Sequence, residues 1–304
     1  MDMFSYWIPI TIFAAFMQNL RSVLQKHIKG RLSTGGASYV RFLYALPLSY
    51  VLLWAVLSYG GHALPEVNAT FLIYCFLGGL SQILFTFILI YLFSLRNFAV
   101  GTTFSKTEIL QIALLGLILL GDEVSMAGTA AIMLGLVGVI LLSMAQSALS
   151  WSSLATSLFE KSTLIGLICG AFLGSSVVFF RGAILALGDM DVMIRASFAL
   201  AVALSMQTVM LGGYLLWREP GQITAVFRHW KPASAVGVVG FLGSVGWFTA
   251  FTLQNAAYVR AVGQIELIFT FAASVFFFKE KTTRMELAGI ALVMIAIVVI
   301  ILTG

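Results

Sequence analysis

Apolar runs of about twenty residues, each closed by a short polar or glycine-bearing stretch, follow one another along the whole chain. A helix needs about 20 such residues to cross the hydrocarbon core of a bilayer. The pattern predicts ten spans, at 4–25, 35–58, 69–94, 98–120, 124–146, 162–187, 191–217, 232–257, 259–278 and 283–303. Strands of a membrane barrel alternate polar and apolar residues over about ten positions, and these runs do not alternate. The expected fold class is all-α and integral to a membrane, with ten transmembrane helices.

The polar residues that interrupt the runs recur. Moving from Leu95 to Leu253, a displacement of 158, lays Leu95, Asn97, Ala99 and Glu108 over Leu253, Asn255, Ala257 and Glu266, and Asp122 over Glu280. Each copy reads as an Asn-bearing turn, a helix with an early carboxylate, a second acid and a further helix. The chain therefore divides into a first five-helix repeat, 1–146, a Ser-rich linker, 147–161, expected to lie on the membrane surface, and a second five-helix repeat, 162–304. Five is odd, so the two repeats are inverted with respect to each other whichever way the chain inserts. The organising stretch, Thr102 to Glu123, reads as one helix with Lys106 and Glu108 inside it.

Composition agrees with this reading. The chain is 61% hydrophobic and 10% charged, where soluble domains are about a quarter charged. Ten spans leave no room for a soluble catalytic domain. The net charge of +5 does not point to nucleic acid, because the basic residues sit in connections between spans. Odd-numbered connections hold Lys26, Lys29, Arg31, Arg96, Lys161, Arg218, Arg228, Lys231, Lys279, Lys281 and Arg284, while the even ones hold Arg260 alone. The positive-inside rule then puts both termini outside a bacterial-type inner membrane. Cys75 and Cys169 fall inside spans and read as small packing residues. The first span follows MDMFSYW, with no basic leader, and reads as a retained helix.

Ionisable groups inside spans are costly and mark pathways. Arg41 falls over Arg195, with Tyr44-Ala45-Leu46 over Phe198-Ala199-Leu200. Both arginines have two readings, cavity residue or interfacial anchor. Glu108 lies about ten residues into its span, about 15 Å deep at 1.5 Å per residue. Lys106 and Glu108 are two apart and cannot satisfy each other on one helix, so each needs a partner elsewhere. With Arg181, the buried set is Arg41, Lys106, Arg181 and Arg195 against Glu108 and Glu266. That cationic excess suits a substrate carboxylate. Glu108 and Glu266 are also proton-coupling candidates, because burial favours the neutral carboxyl; closing interhelical ion pairs is their other reading. Gln18, Asn19, Tyr44, Gln82, Tyr91, Trp247 and Gln264 complete the cavity candidates.

Glycines mark where helices approach: Gly128, Gly135 and Gly138; Gly166, Gly170 and Gly174; and Gly237, Gly240, Gly243 and Gly246, the last set serving packing or a cavity wall. No nucleotide-binding loop, metal-ligand cluster or nucleophile elbow appears, so neither cofactor nor metal nor enzymatic chemistry is expected. The expected partners are a small-molecule substrate and the lipid bilayer, with monomer and homodimer both open.

The stretches TEILQIALLGLILLGDEVSMAGTAAIMLGLVGVILL and IELIFTFAASVFFFKEKTTRMELAGIALVMIAIVVIIL resemble the EamA-type repeat of the drug/metabolite transporter superfamily. Ile109 and Leu267 stand where that family commonly has proline. The resemblance implies secondary transport of small metabolites, often amino acid export, by alternating access. Efflux of lipophilic cations, a lipid flippase and a non-transporting scaffold are the alternatives.

Overall fold

The structure is a computed structural model that describes residues 6–28, 30–61, 63–93, 95, 98–146, 150–156, 159–276 and 283–303. Glu280 and the loop cations Lys29, Arg96, Lys279 and Lys281 lie outside the described residues.

In chain order the helices are α1 (Trp7–Ile28), α2 (Thr34–Leu43), α3 (Leu46–Gly60), α4 (Ala69–Phe93), α5 (Phe98–Ser105), α6 (Glu108–Leu120), α7 (Met126–Gln146), α8 (Trp151–Thr156), α9 (Lys161–Ala186), α10 (Val192–Arg218), α11 (Gln222–Arg228), α12 (Trp230–Leu253), α13 (Ala256–Gly263), α14 (Ile265–Phe276) and α15 (Arg284–Thr303). Among the described residues, eight stretches are long and apolar enough to cross a membrane. The fold is all-helical, as an integral membrane protein requires.

Three of the expected continuous helices are broken. The span at 35–58 divides at Tyr44 and Ala45, where Pro47 in the first turn of α3 lacks the N–H a continuing helix would need. The helix from Thr102 to Glu123 divides at Lys106 and Thr107, which form three-residue turns onto the carbonyls of Thr103 and Phe104 at 3.2 and 3.1 Å. The hydroxyls of Ser105 and Thr107 take the carbonyls of Thr102 and Phe104, both at 2.8 Å, and so compete for acceptors of the last turn. The span at 259–278 starts earlier than expected, as α13, and breaks at Gln264. Arg260 is consequently a helical residue and not a loop charge.

The chain forms two compact units, Met1–Ile83 with Phe179–Gln254, and Leu84–Val178 with Asn255–Gly304. In the first, α12 packs on α1 and α2, and α10 on α2, α3 and α12. The glycines of α12 serve that packing: a Cβ on Gly246 would lie 2.8 Å from Ala14 Cβ, and one on Gly237 would overlap the Tyr44 side chain. In the second unit, α15 runs along α7 through Gly138 and Gly289, where a Cβ on either would lie within 2.8 Å of the other's carbonyl oxygen. The α9 glycines lie against the broken helix. Gly166 faces the Gly101 carbonyl, Gly170 that of Ser105 and Gly174 that of Glu108.

Candidate functional site

Ionisable groups gather at the helix breaks of the second unit. Glu108 is the first residue of α6, where the N-terminal dipole favours its negative charge. The facing helix α13 carries Arg260, whose Nη2 donates to Glu108 Oε1 at 2.5 Å, with only 7% and 5% of the two side chains exposed. This is the partner the sequence required of Glu108. Glu266, on the first turn of α14, lies within electrostatic range of Arg260. Lys106, half-buried in the α5–α6 turn, and Glu108 are both within electrostatic range of Cys169 on α9.

Gln264 sits at the second break, four residues after Arg260 and so on the same face of α13. It is 3% exposed, and its Oε1 has no hydrogen-bond partner among the described residues. Gln111 Nε2 donates to Thr107 Oγ1 at 3.1 Å, while Gln111 Oε1 likewise finds no donor there. At the other end of α13, Asn255 donates to the Glu123 carbonyl at 3.2 Å, and the Tyr258 hydroxyl accepts from the Ser125 N–H at 3.0 Å. The predicted Tyr91 is directed elsewhere, with the Lys161 ammonium 5.4 Å from its ring centroid.

The first unit holds a second cluster, assembled from both halves of the chain. Gln82 Oε1 accepts from Arg41 Nη2 at 3.0 Å and from Gln207 Nε2 at 2.8 Å. Arg21 is within electrostatic range of Arg41, and both side chains border Gly240 on α12. Trp247 donates to Gln18 Oε1 at 3.1 Å, next to the half-buried Asn19. Tyr44 reaches the Val226 carbonyl at 3.3 Å.

Two of the predicted cations are occupied structurally. Arg181 donates to the carbonyls of Phe251 and Gln254 at 2.6 and 2.7 Å, capping the carbonyl-rich end of α12. Arg195 turns back to the Gly188 carbonyl at 3.3 Å and anchors the turn that leads into α10. Arg41 and Arg195, aligned in sequence, therefore have different surroundings. Arg260 and Gln207 are the residues the sequence reading left out of the candidate set.

A solved structure described only as "Crystal structure of protein" superposes on 97% of this chain and 95% of its own, with a TM-score of 0.68 and 16% sequence identity, which shows a shared fold. No curated protein matches the chain. Residues 161–302 match the EamA-like transporter family. That match likens the second half of the chain to the drug/metabolite transporter superfamily, a group of membrane transporters.

Proposed function

We infer that the protein is a secondary transporter of a small carboxylate-bearing metabolite, with amino acids as the first candidates, working by alternating access. The observation that carries this reading is the meeting of two broken helices, α5–α6 and α13–α14, at the buried Glu108–Arg260 pair, with the buried Gln264 at the second break and the half-buried Glu266 and Lys106 in the adjoining turns. Discontinuous helices bring helix ends and charged side chains together within the membrane, as binding sites in transporters require. Arg41 adds to the argument for an anion. Its described partners are the amide of Gln82 and the ring of Phe42, both neutral.

The same residue disfavours efflux of lipophilic cations, which an arginine among neutral amides would repel. A non-transporting scaffold accounts for the Glu108–Arg260 pair but not for a buried Gln264 oxygen without a donor among the described residues. Export from a bacterial-type inner membrane, with both termini outside, is the direction and placement that the resemblance and the loop charges suggest.

Counterflow in proteoliposomes tests the reading. Vesicles loaded with unlabelled amino acids or short monocarboxylates should take up the labelled compound when they contain the protein, and empty vesicles should not. Exchange of tetraphenylphosphonium with no exchange of any carboxylate would replace this reading with cation efflux.

A further inference from the structure

We propose that Arg260 binds the ligand's carboxylate, that the ligand reaches it by displacing Glu108, and that Glu108 takes up a proton as it leaves, so carboxylate and proton are bound together. The proposal rests on the carboxylate reading above and adds its binding residue and its coupling.

The guanidinium of Arg260 holds a carboxylate at 2.5 Å in a buried setting. Its planar fork presents N–H donors matched to a carboxylate, and a ligand carboxylate has the same geometry as that of Glu108. Exchange of one for the other therefore needs no rebuilding of the cationic side. The displaced Glu108 is left buried without its cation, where an ionised carboxylate is strongly disfavoured.

The charges facing it decide the outcome. Arg260 on α13, Glu266 on α14 and Lys106 in the α5–α6 turn form, with Glu108, a set of two cations and two anions, and the Cys169 thiol on α9 adds no formal charge. A ligand anion makes the set one charge negative. A proton on Glu108 restores neutrality at the group the exchange has freed. Proton and carboxylate thus bind in the same state, unlike a carrier in which they compete for one carboxylate.

Gln264 carries the second, independent part of the argument. It lies one turn from Arg260 on the same face, nine-tenths buried, with an acceptor oxygen that meets no donor among the described residues. A ligand bearing an N–H or O–H beside its carboxylate would satisfy it. An α-amino acid carries an ammonium donor beside its carboxylate, and a bare monocarboxylate has none. Because proton and anion move together, net export would run on the substrate's own outward gradient, and an inward proton gradient would favour uptake.

The test measures binding of labelled L-alanine, L-glutamate, L-phenylalanine and propionate to the purified full-length protein across pH, with proton uptake followed by a pH indicator. Expected for the best-bound probe is an affinity that rises about tenfold for each unit of falling pH, one proton per ligand. Glu108→Gln should bind at least as tightly, without pH dependence or proton uptake. The double variant Glu108→Gln with Arg260→Gln keeps the local charge balance and leaves two amides that can hydrogen-bond, so it should fold; it should lose binding more than tenfold. Gln264→Leu should narrow the preference for L-alanine over propionate, and an unchanged preference overturns the Gln264 contact. Native binding that is independent of pH or releases a proton, or a double variant that binds like the native protein, overturns the exchange while leaving carboxylate transport intact. Binding of none of the four probes overturns both.

Discussion

Gly166 on α9 packs backbone to backbone against Gly101 on α5: a Cβ at Gly166 would overlap the Gly101 carbonyl oxygen and lie 2.8 Å from its carbonyl carbon and Cα. Backbone cannot rotate away as a side chain can. Gly166→Ala should therefore lower stability by about 3 kcal/mol, the upper part of the range for overpacking. Gly213, also helical, has nothing within 4 Å of an added Cβ. Gly213→Ala should be neutral or stabilising by up to about 1 kcal/mol. Unfolding midpoints of both variants in the same detergent give the comparison.

The Glu108–Arg260 pair makes a prediction about stability that is separate from any ligand. Removing one partner leaves a buried charge alone, and Arg260→Gln should cost about 3–5 kcal/mol. The double variant Glu108→Gln with Arg260→Gln leaves two amides that can hydrogen-bond, and should cost much less than the two single changes together. A double-mutant cycle by reversible unfolding measures the difference, and additive costs would mean that the pair is not coupled.

What the sequence revealed and what it hid separate along physical lines. Apolar runs of membrane length depend on composition, so the all-helical membrane fold was legible. The need of Glu108 for a partner also followed from its depth. The identity of that partner did not, because Arg260 stands at the junction of the expected spans 232–257 and 259–278 and was counted with the connection charges, whereas it lies within the short helix α13. The break at Lys106 carries no proline; its signal was the hydroxyls of Ser105 and Thr107, which also occur in unbroken helices. Arg181 looked like a surplus cation because its acceptors are backbone carbonyls some seventy residues away, and every residue has a carbonyl. Gln207 was hidden for the same reason: its role depends on Gln82, 125 positions distant.

In the first unit a single oxygen, Gln82 Oε1, serves two donors, Arg41 and Gln207. Gln82→Leu deprives both and should cost about 1–3 kcal/mol. Gln207→Leu leaves the Arg41 contact in place and should cost less. Gln82→Glu replaces a neutral acceptor with a carboxylate, so the fold should hold while Arg41 loses its pull on anions. Carboxylate counterflow in that variant should fall at least tenfold, and undiminished flux would remove Arg41 from the anion pathway.

Tyr258 ties α13 to the 121–125 connection. Its hydroxyl accepts from the Ser125 N–H at 3.0 Å and lies 3.1 Å from Ser125 Oγ, and its ring occupies the space that a side chain at position 128 would need. Tyr258→Phe keeps the ring and removes only the hydroxyl, which should cost about 0.5–1.5 kcal/mol. Gly128→Ala meets the ring itself, with the Tyr258 Cε1 and Cζ within 2.8 Å of the new methyl, and should cost more. These two effects share one side chain, so they should not add. In a Tyr258→Leu background the shorter side chain vacates the space, and Gly128→Ala should then cost less than half of what it costs in the native protein. Equal costs in both backgrounds, read from unfolding midpoints, would show that the close approach of Gly128 and Tyr258 is not what holds the 121–125 connection against α13.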